Sequence, residues 1–340
     1  MALSRRQAVL GLGLTGVAVS MNAVGNASTS RNSGGKAPLS QRLGIEKYVL
    51  LDVPVSNLIE VLNQLFVMGY REIEGPIESL SVQGFRNVLD KTGFVCPSMT
   101  TGFDPSSGEI PSLSDPEGLI AYARSIGVRN VVVSAYPVSE LVPYIPSNKN
   151  EVLAALKRQE KSDYKLLGQL LPLAVKALPL ERWMEFANRL NRSGAILADA
   201  GLRLSYHNHG YEMIDLPDGR NAYDLLMSET DEAVVDFELD IGWAAAAGFD
   251  PAHLLRKYGR RITQVHLKDF GATATTRESG LHGVDVGQGI MDWGAVADAL
   301  GTSAVQHIYF EQEPPYPISP LDSAKVAHDY IVPILAARGL

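Results

Sequence analysis

The segment Leu180–His209, LERWMEFANRLNRSGAILADAGLRLSYHNH, decides the fold. Apolar residues recur at helical spacing through Ala200, and Gly201 stops the run. Arg203–His207 then follows as a short strand that ends in an imidazole. The same unit, a β-branched run after a helix-period segment, repeats along the chain. Strands are expected at Lys47–Leu51, Tyr70–Glu74, Phe94–Ser98, Asn130–Ser134, Arg203–His207, Val234–Asp240, Thr263–Lys268 and His307–Gln312. Helices are expected at Asn57–Met68 (N-cap Ser56, stop Gly69), Leu80–Thr92, Pro116–Ser125, Leu180–Ala200, Trp293–Leu300 and Ala324–Arg338.

Eight strands alternating with helices predict an α/β fold of parallel units, a single-domain (β/α)8 TIM barrel. The alternative is a doubly wound open sheet. No Gly-x-Gly-x-x-Gly follows the first strand, which argues against its dinucleotide-binding form. Residues 136–178 are too long for a simple loop, with Pro137, Pro143 and Pro146 at their start and a helical pattern over Asn150–Lys161. They read either as an inserted helical layer or lid, or as an ordinary fourth helix with a long approach.

The N-terminus differs in character. Arg5-Arg6 precedes an apolar stretch, Ala8–Met21, and Ala23-Val24-Gly25-Asn26-Ala27 offers a small-x-small cut site. This resembles a twin-arginine signal peptide over 1–27, and the expected location is the periplasm. The stretch is shorter than the ~20 residues needed to span a membrane, so no stable insertion is expected after cleavage. Residues 28–39, rich in Ser and Gly, read as a flexible linker ahead of a domain at 40–340. The formal charge is −8, and removing Arg5 and Arg6 with no acidic residue leaves −10. That balance argues against a nucleic-acid partner. The single cysteine, Cys96, allows no intrachain disulfide and reads as a small buried apolar residue. Composition leaves the oligomeric state open, a homo-oligomer included.

Four chemical groups end consecutive late strands: His207, Asp240, His266 and Glu311, separated by 33, 26 and 45 residues. Adjacent barrel strands lie about 4.8 Å apart, so groups at their ends converge on one face. Two imidazoles and two carboxylates suit one divalent metal ion, Mn, Co, Fe, Zn or Mg, without choosing among them. Glu74 ends another strand. For each residue alone, burial or a salt bridge is the simpler reading; it is the four together that point to a metal.

The chain resembles the sugar phosphate isomerase/epimerase family, the xylose-isomerase-like TIM barrels. The resemblance rests on Gly69-Tyr70-Arg71-Glu72-Ile73-Glu74, Gly127–Val133, Gly201–His209, Leu239-Asp240-Ile241-Gly242-Trp243, Val265-His266-Leu267-Lys268-Asp269, Val286-Gly287-Gln288-Gly289 and Phe310-Glu311-Gln312. It implies metal ligands at Asp240, His266 and Glu311. The family's usual first ligand is a glutamate, and His207 stands there, as in a Tyr-His-Asn-His branch. His209 or Glu212 is the alternative first ligand, and Gln288 replaces a frequent Glu.

The implied chemistry is proton abstraction beside a carbonyl. Glu311, Glu74 and His209 are the candidate bases. Lys268 is expected either near the developing oxyanion or as a surface cation paired with Asp269. Trp243 and His209 are candidate substrate contacts, while Glu313 and Asp292 read as structural. The resulting expectation is an exported isomerase or epimerase acting on an unphosphorylated sugar or keto-sugar. The alternative is a lyase or dehydratase eliminating from a 3-keto-glycoside or inosose, and the missing fifth-strand Glu favours it. The non-enzyme alternative is a sugar-binding protein with a vestigial site.

Overall fold

The computed structural model describes residues 37–104, 110–147, 149–158, 170–216, 218–271, 283–312 and 318–340. The expected signal peptide, most of the linker and Glu313 lie outside them. Residues Ala37–Leu340 form one compact unit. Among the described residues no helix is long and apolar enough to cross a membrane.

Eight parallel strands close into a barrel: β1 (Gly44–Glu46), β2 (Glu72–Gly75), β3 (Val95–Thr101), β4 (Asn130–Val133), β5 (Arg203–His207), β6 (Val235–Asp240), β7 (Ile262–Leu267) and β10 (His307–Phe310), which pairs with β1. A small antiparallel hairpin, β8 (Asp269–Phe270) with β9 (Gly283–Val284), follows β7. The helices between barrel strands include α1 (Leu58–Met68), α2 (Val82–Thr92), α3 (Pro116–Ile126) and the long α7 (Leu180–Asp199). After it come α8 (Ala222–Glu229), α9 (Ile241–Ala246), α10 (Pro251–Tyr258), α11 (Trp293–Leu300) and α12 (Pro320–Ala336).

The first strand is the one placed wrongly from sequence. Lys47–Leu50 is a 3-10 turn, and the strand is Gly44–Glu46. The Glu46 side chain accepts the Tyr48 N–H and turns the chain out of the sheet. β-branched content suggested a strand there, but a local side-chain cap won. Gly44 is required by packing, since a Cβ there would overlap the Tyr309 ring across β10. Ser56 is not the cap of α1; Ser81 and Asp115 cap α2 and α3, accepting from Gly84 and Gly118 N–H at 3.1 and 3.0 Å. The closing helix begins at Pro320, earlier than expected, because Ser319 accepts the Asp322 N–H at 3.2 Å and Pro320 suits the first turn. Leu39, placed in the linker, is buried, and the neighbouring Ser40 N–H reaches the Leu340 carbonyl at 3.1 Å.

Within 136–178 the described parts are helical: α4 (Val138–Leu141), a 3-10 turn at Val142–Tyr144, α5 (Lys149–Arg158) and α6 (170–177). Tyr136 anchors this layer, its ring 4.9 Å from Trp183 and 4.8 Å from Phe186 of α7. Such edge-on aromatic packing adds to the area buried.

The strands have an inverted burial pattern. In β6 (VDFELD) and β7 (ITQVHL) the apolar residues pack against helices, while the alternate series Asp236, Glu238, Asp240 and Gln264, His266 carries polar groups. All of these polar residues are buried. Period-2 geometry puts each series on one side of its strand, and in a closed barrel that side is the interior. Cys96 is buried as expected, and burial pushes its thiol up to about 12, which makes it inert.

Candidate metal centre

His207 ends β5, Asp240 ends β6, His266 lies near the end of β7, and Glu311 directly follows β10. Parallel pairing places Asp240 opposite His266. One donor atom from each of the four side chains lies within 4.8 Å of every other, and all four residues are buried. The His207 and His266 rings are 4.6 Å apart. Five carboxylates, of Glu46, Glu74, Glu238, Asp240 and Glu311, meet at this level. Facing them are the two imidazoles and Lys268 Nζ, 3.2 Å from Asp240 Oδ2 and 3.1 Å from Glu311 Oε1. Buried negative charge in such excess calls for a cation, and mixed N/O donors at this spacing fit a divalent one.

The electrostatics follow from these contacts. Burial pushes the His266 pKa down, but the negative charges of Glu238, Glu311 and Glu74 outweigh it and hold it well above the usual value. Burial pushes Glu311 up, and Lys268 and His266 reverse this, leaving it well below the usual range. Glu46 is raised by burial and by the neighbouring Glu311 charge. One Glu46 oxygen takes the Tyr48 N–H, and Oε1 has no hydrogen-bond partner among the described residues.

Glu74 is fully enclosed: its Oε1 accepts from Ser98 Oγ at 2.5 Å, and its Oε2 lies 2.6 Å from His266 Nε2. That position suits holding the His266 ring more than reaching a substrate as a base. Lys268 is not a surface cation paired with Asp269; it is buried on Asp240 and Glu311. Asp269 instead accepts N–H groups from the loop at 287–291. Gln288 is exposed on that loop, and Asp292 caps α11 through the Ala295 N–H.

His209 lies beside the cluster, partly exposed, its ring 5.0 Å from His207 and 6.0 Å from Trp243. Tyr211 stacks on it and places its hydroxyl 3.2 Å from Nδ1. Burial and the positive charges of His207 and Lys268 hold His209 well below the usual imidazole range, so it is neutral and able to accept a proton. Trp243 packs on Phe270 with ring centroids 5.0 Å apart, in an apolar cluster separate from the main core. Lys268 Nζ lies 5.1 Å from the Trp243 ring centre.

Glu212 is not brought into the donor cluster. Its oxygens accept from Tyr206 Oη at 2.6 Å and the His209 N–H at 2.7 Å, closing the turn after β5. Burial pushes its carboxyl up to about 7. A carboxyl raised on folding gives stability that is complete below its unfolded value near 4.5 and lost as pH rises through about 7. The parent is therefore expected to lose about 3 kcal/mol more than Glu212→Gln between these pH values. Urea unfolding of both across that range checks this; parallel pH profiles would refute it.

Glu46, Glu238, Gln264 and Ser98 were missed from sequence. The alternation in VDFELD and TQVHLK carried the signal for Glu238 and Gln264, because polar residues recurring with period two mark one strand face. Glu46 was hidden by the misplaced first strand.

A family model for xylose isomerase-like TIM barrels matches residues 64–331. An inosose dehydratase of Clostridium botulinum is 39% identical over 90 residues, 26% of this chain and 29% of that protein. The chain thus spans under a third of the length of that relative. A sugar phosphate isomerase/epimerase from Parabacteroides distasonis superposes with a TM-score of 0.62 at 18% identity, covering 89% of this chain and 97% of that one. A xylose isomerase-like TIM barrel protein from Mycobacterium smegmatis in complex with magnesium superposes with a TM-score of 0.61 at 17% identity, covering 89% and 99%.

Proposed function

We propose, from the premise that this chain belongs to the xylose isomerase-like TIM barrel family, that it is a divalent-metal-dependent lyase acting on a keto-cyclitol or 3-keto-glycoside. The observation that carries the reading is the convergence of His207, Asp240, His266 and Glu311 within 4.8 Å at the strand ends, beside Lys268. These four residues would hold the cation. When bound, a divalent cation polarises a carbonyl and so acidifies the neighbouring C–H.

The chain's own residues supply the rest. Neutral His209, on the open side of the cluster, is placed to take the proton alpha to the carbonyl. Lys268 brings positive charge to the oxygen where negative charge develops. Trp243 and Phe270 offer an apolar wall to a sugar or cyclitol ring. The C–H pair becomes the new C=C bond, the beta C–O bond breaks, and the leaving oxygen takes the proton that His209 received, departing as water or an alcohol. Elimination is preferred because the fifth-strand position carries His207, hydrogen-bonded to Glu238, where two-base epimerisation would use a carboxylate. The local similarity to a protein named as an inosose dehydratase supports the same choice.

The isomerase or epimerase reading shares the first proton transfer. One observation favours it: Glu46 Oε1, buried at the site without a partner among the described residues, is a second carboxylate. Incubating the Mn²⁺-loaded protein with inososes and 3-keto-glycosides in D₂O separates the two. Unsaturated product is expected; a deuterated epimer without elimination would replace the lyase reading, and no metal-dependent exchange on any of them would remove both.

Export through the twin-arginine route belongs to this proposal and rests on Arg5, Arg6 and the apolar stretch behind them. Replacing both with Lys is expected to keep the protein in the cytoplasm on fractionation; unchanged export would remove the localisation.

A further inference from the structure

A hydrogen-bonded loop of side chains that includes His266 and reaches His207 runs across five strands. Glu238 Oε2 is 3.0 Å from His207 Nδ1 and 3.2 Å from His266 Nε2. Glu238 Oε1 accepts from Gln264 Nε2 at 2.7 Å. The same Gln264 nitrogen donates to Ser98 Oγ at 3.1 Å, and Ser98 Oγ donates to Glu74 Oε1 at 2.5 Å. Glu74 Oε2 closes the loop on His266 Nε2 at 2.6 Å. Glu238 and Gln264 are fully buried, and Glu238 is the one member that reaches both imidazoles.

An imidazole binds a metal through one nitrogen, and its tautomer is set by what the other nitrogen donates to. Each ring here has one nitrogen on an anionic oxygen of this loop. We propose that Glu238 is the positioning residue that makes a histidine work in place of the fifth-strand carboxylate. It holds the proton of His207 on Nδ1 and leaves Nε2 for the cation, while Glu74 and Glu238 together hold the proton of His266 on Nε2 and leave Nδ1. Gln264 fixes the orientation of the Glu238 carboxylate, so both rings are aimed before any ligand arrives. The inference rests on the metal-site reading and adds to it the residue that His207 depends on.

The two histidines have different support, and this sets the test. Among the described residues His207 is held by Glu238 alone, whereas His266 keeps Glu74 when Glu238 is lost. In Glu238→Gln, Zn²⁺ affinity by calorimetry is expected to fall about 10- to 100-fold, the usual cost of removing the carboxylate behind a metal-bound imidazole. Long-range ¹⁵N–¹H NMR of the Zn²⁺-loaded protein is expected to show His207 losing its single Nδ1–H form while His266 keeps its Nε2–H form. Glu74→Gln, which leaves Glu238 on both rings, should keep the single Nδ1–H form of His207. A purely structural role for Glu238 would disturb both rings or neither. The same isosteric variant keeps the side-chain shape, and its urea unfolding verifies the fold. Zn²⁺ affinity within twofold of the parent, or an unchanged His207 tautomer, overturns the inference. Asp240→Ala serves as the separate control: if it too binds Zn²⁺ like the parent, the metal site itself is wrong.

Discussion

Replacing His266 with alanine is expected to abolish stoichiometric metal and to lower turnover about a thousandfold, the equivalent of ~4 kcal/mol. His266 stands between Glu311 on one side, at 2.7 Å, and Glu74 and Glu238 on the other, at 2.6 and 3.2 Å. Removing the ring deletes a donor from the set and leaves three buried carboxylates facing one another without its charge. A second consequence follows: the metal-free variant should be less stable than the metal-free parent by about 3 kcal/mol, because breaking a buried pair strands its partner charges. His266→Gln should recover part of that stability, since its amide can still donate, without recovering metal. Calorimetric Zn²⁺ titration and urea unfolding read the two effects separately. An alanine variant that binds Zn²⁺ as tightly as the parent would dismantle the proposed centre.

The largest effect on stability is expected from Asp269→Ala, about 4 kcal/mol. This carboxylate lies just past the end of β7 and is 1% exposed. It accepts the backbone N–H groups of Phe270 (3.0 Å), Gly287 (3.0 Å), Gly289 (3.1 Å) and Met291 (3.4 Å), and the indole N–H of Trp293 (3.2 Å). Gly289 is needed for that approach, because a Cβ there would overlap Asp269. Alanine would leave these donors without an acceptor in a water-poor place, each costing roughly 1–3 kcal/mol before the loop relaxes. Asp269→Asn keeps one oxygen and should lose about half as much. Because Asp269 follows Lys268 directly, the loop it gathers helps fix the strand end that carries the site lysine. Urea unfolding measures the loss; a change below ~1 kcal/mol would show that the loop does not depend on this anchor.

Arg203–His207 was read with its observed bounds, since the Gly201 stop before it and the polar Asn208-His209-Gly210 run after it bound the segment. The convergence of His207, Asp240, His266 and Glu311 was legible because barrel topology brings the strand ends together whatever the loops do. Lys268 was ambiguous: its neighbour in sequence is Asp269, but the Lys268 ammonium reaches Asp240 and Glu311 while the Asp269 carboxylate gathers the loop at 287–291. Glu212 was ambiguous for a similar reason, as a carboxylate five residues past a strand can cap a turn or reach a site, and only the positions of Tyr206 and the His209 N–H decide.

The sequence by itself determined the alternating strand-and-helix units and the order of the four groups along the late ones, because periodicity and chain order are local properties that close packing then enforces. The tertiary structure alone decided which polar residues surround them. Glu74 comes from β2, Ser98 from β3, Glu238 from β6 and Gln264 from β7, and they form one hydrogen-bonded loop only because the sheet closes on itself. It also decided that Glu46 faces this cluster, through a one-carboxylate cap that ended β1 three residues in. Hydrogen bonds of this kind depend on register and on ångström-scale distances between strands far apart in sequence, quantities that no local pattern encodes.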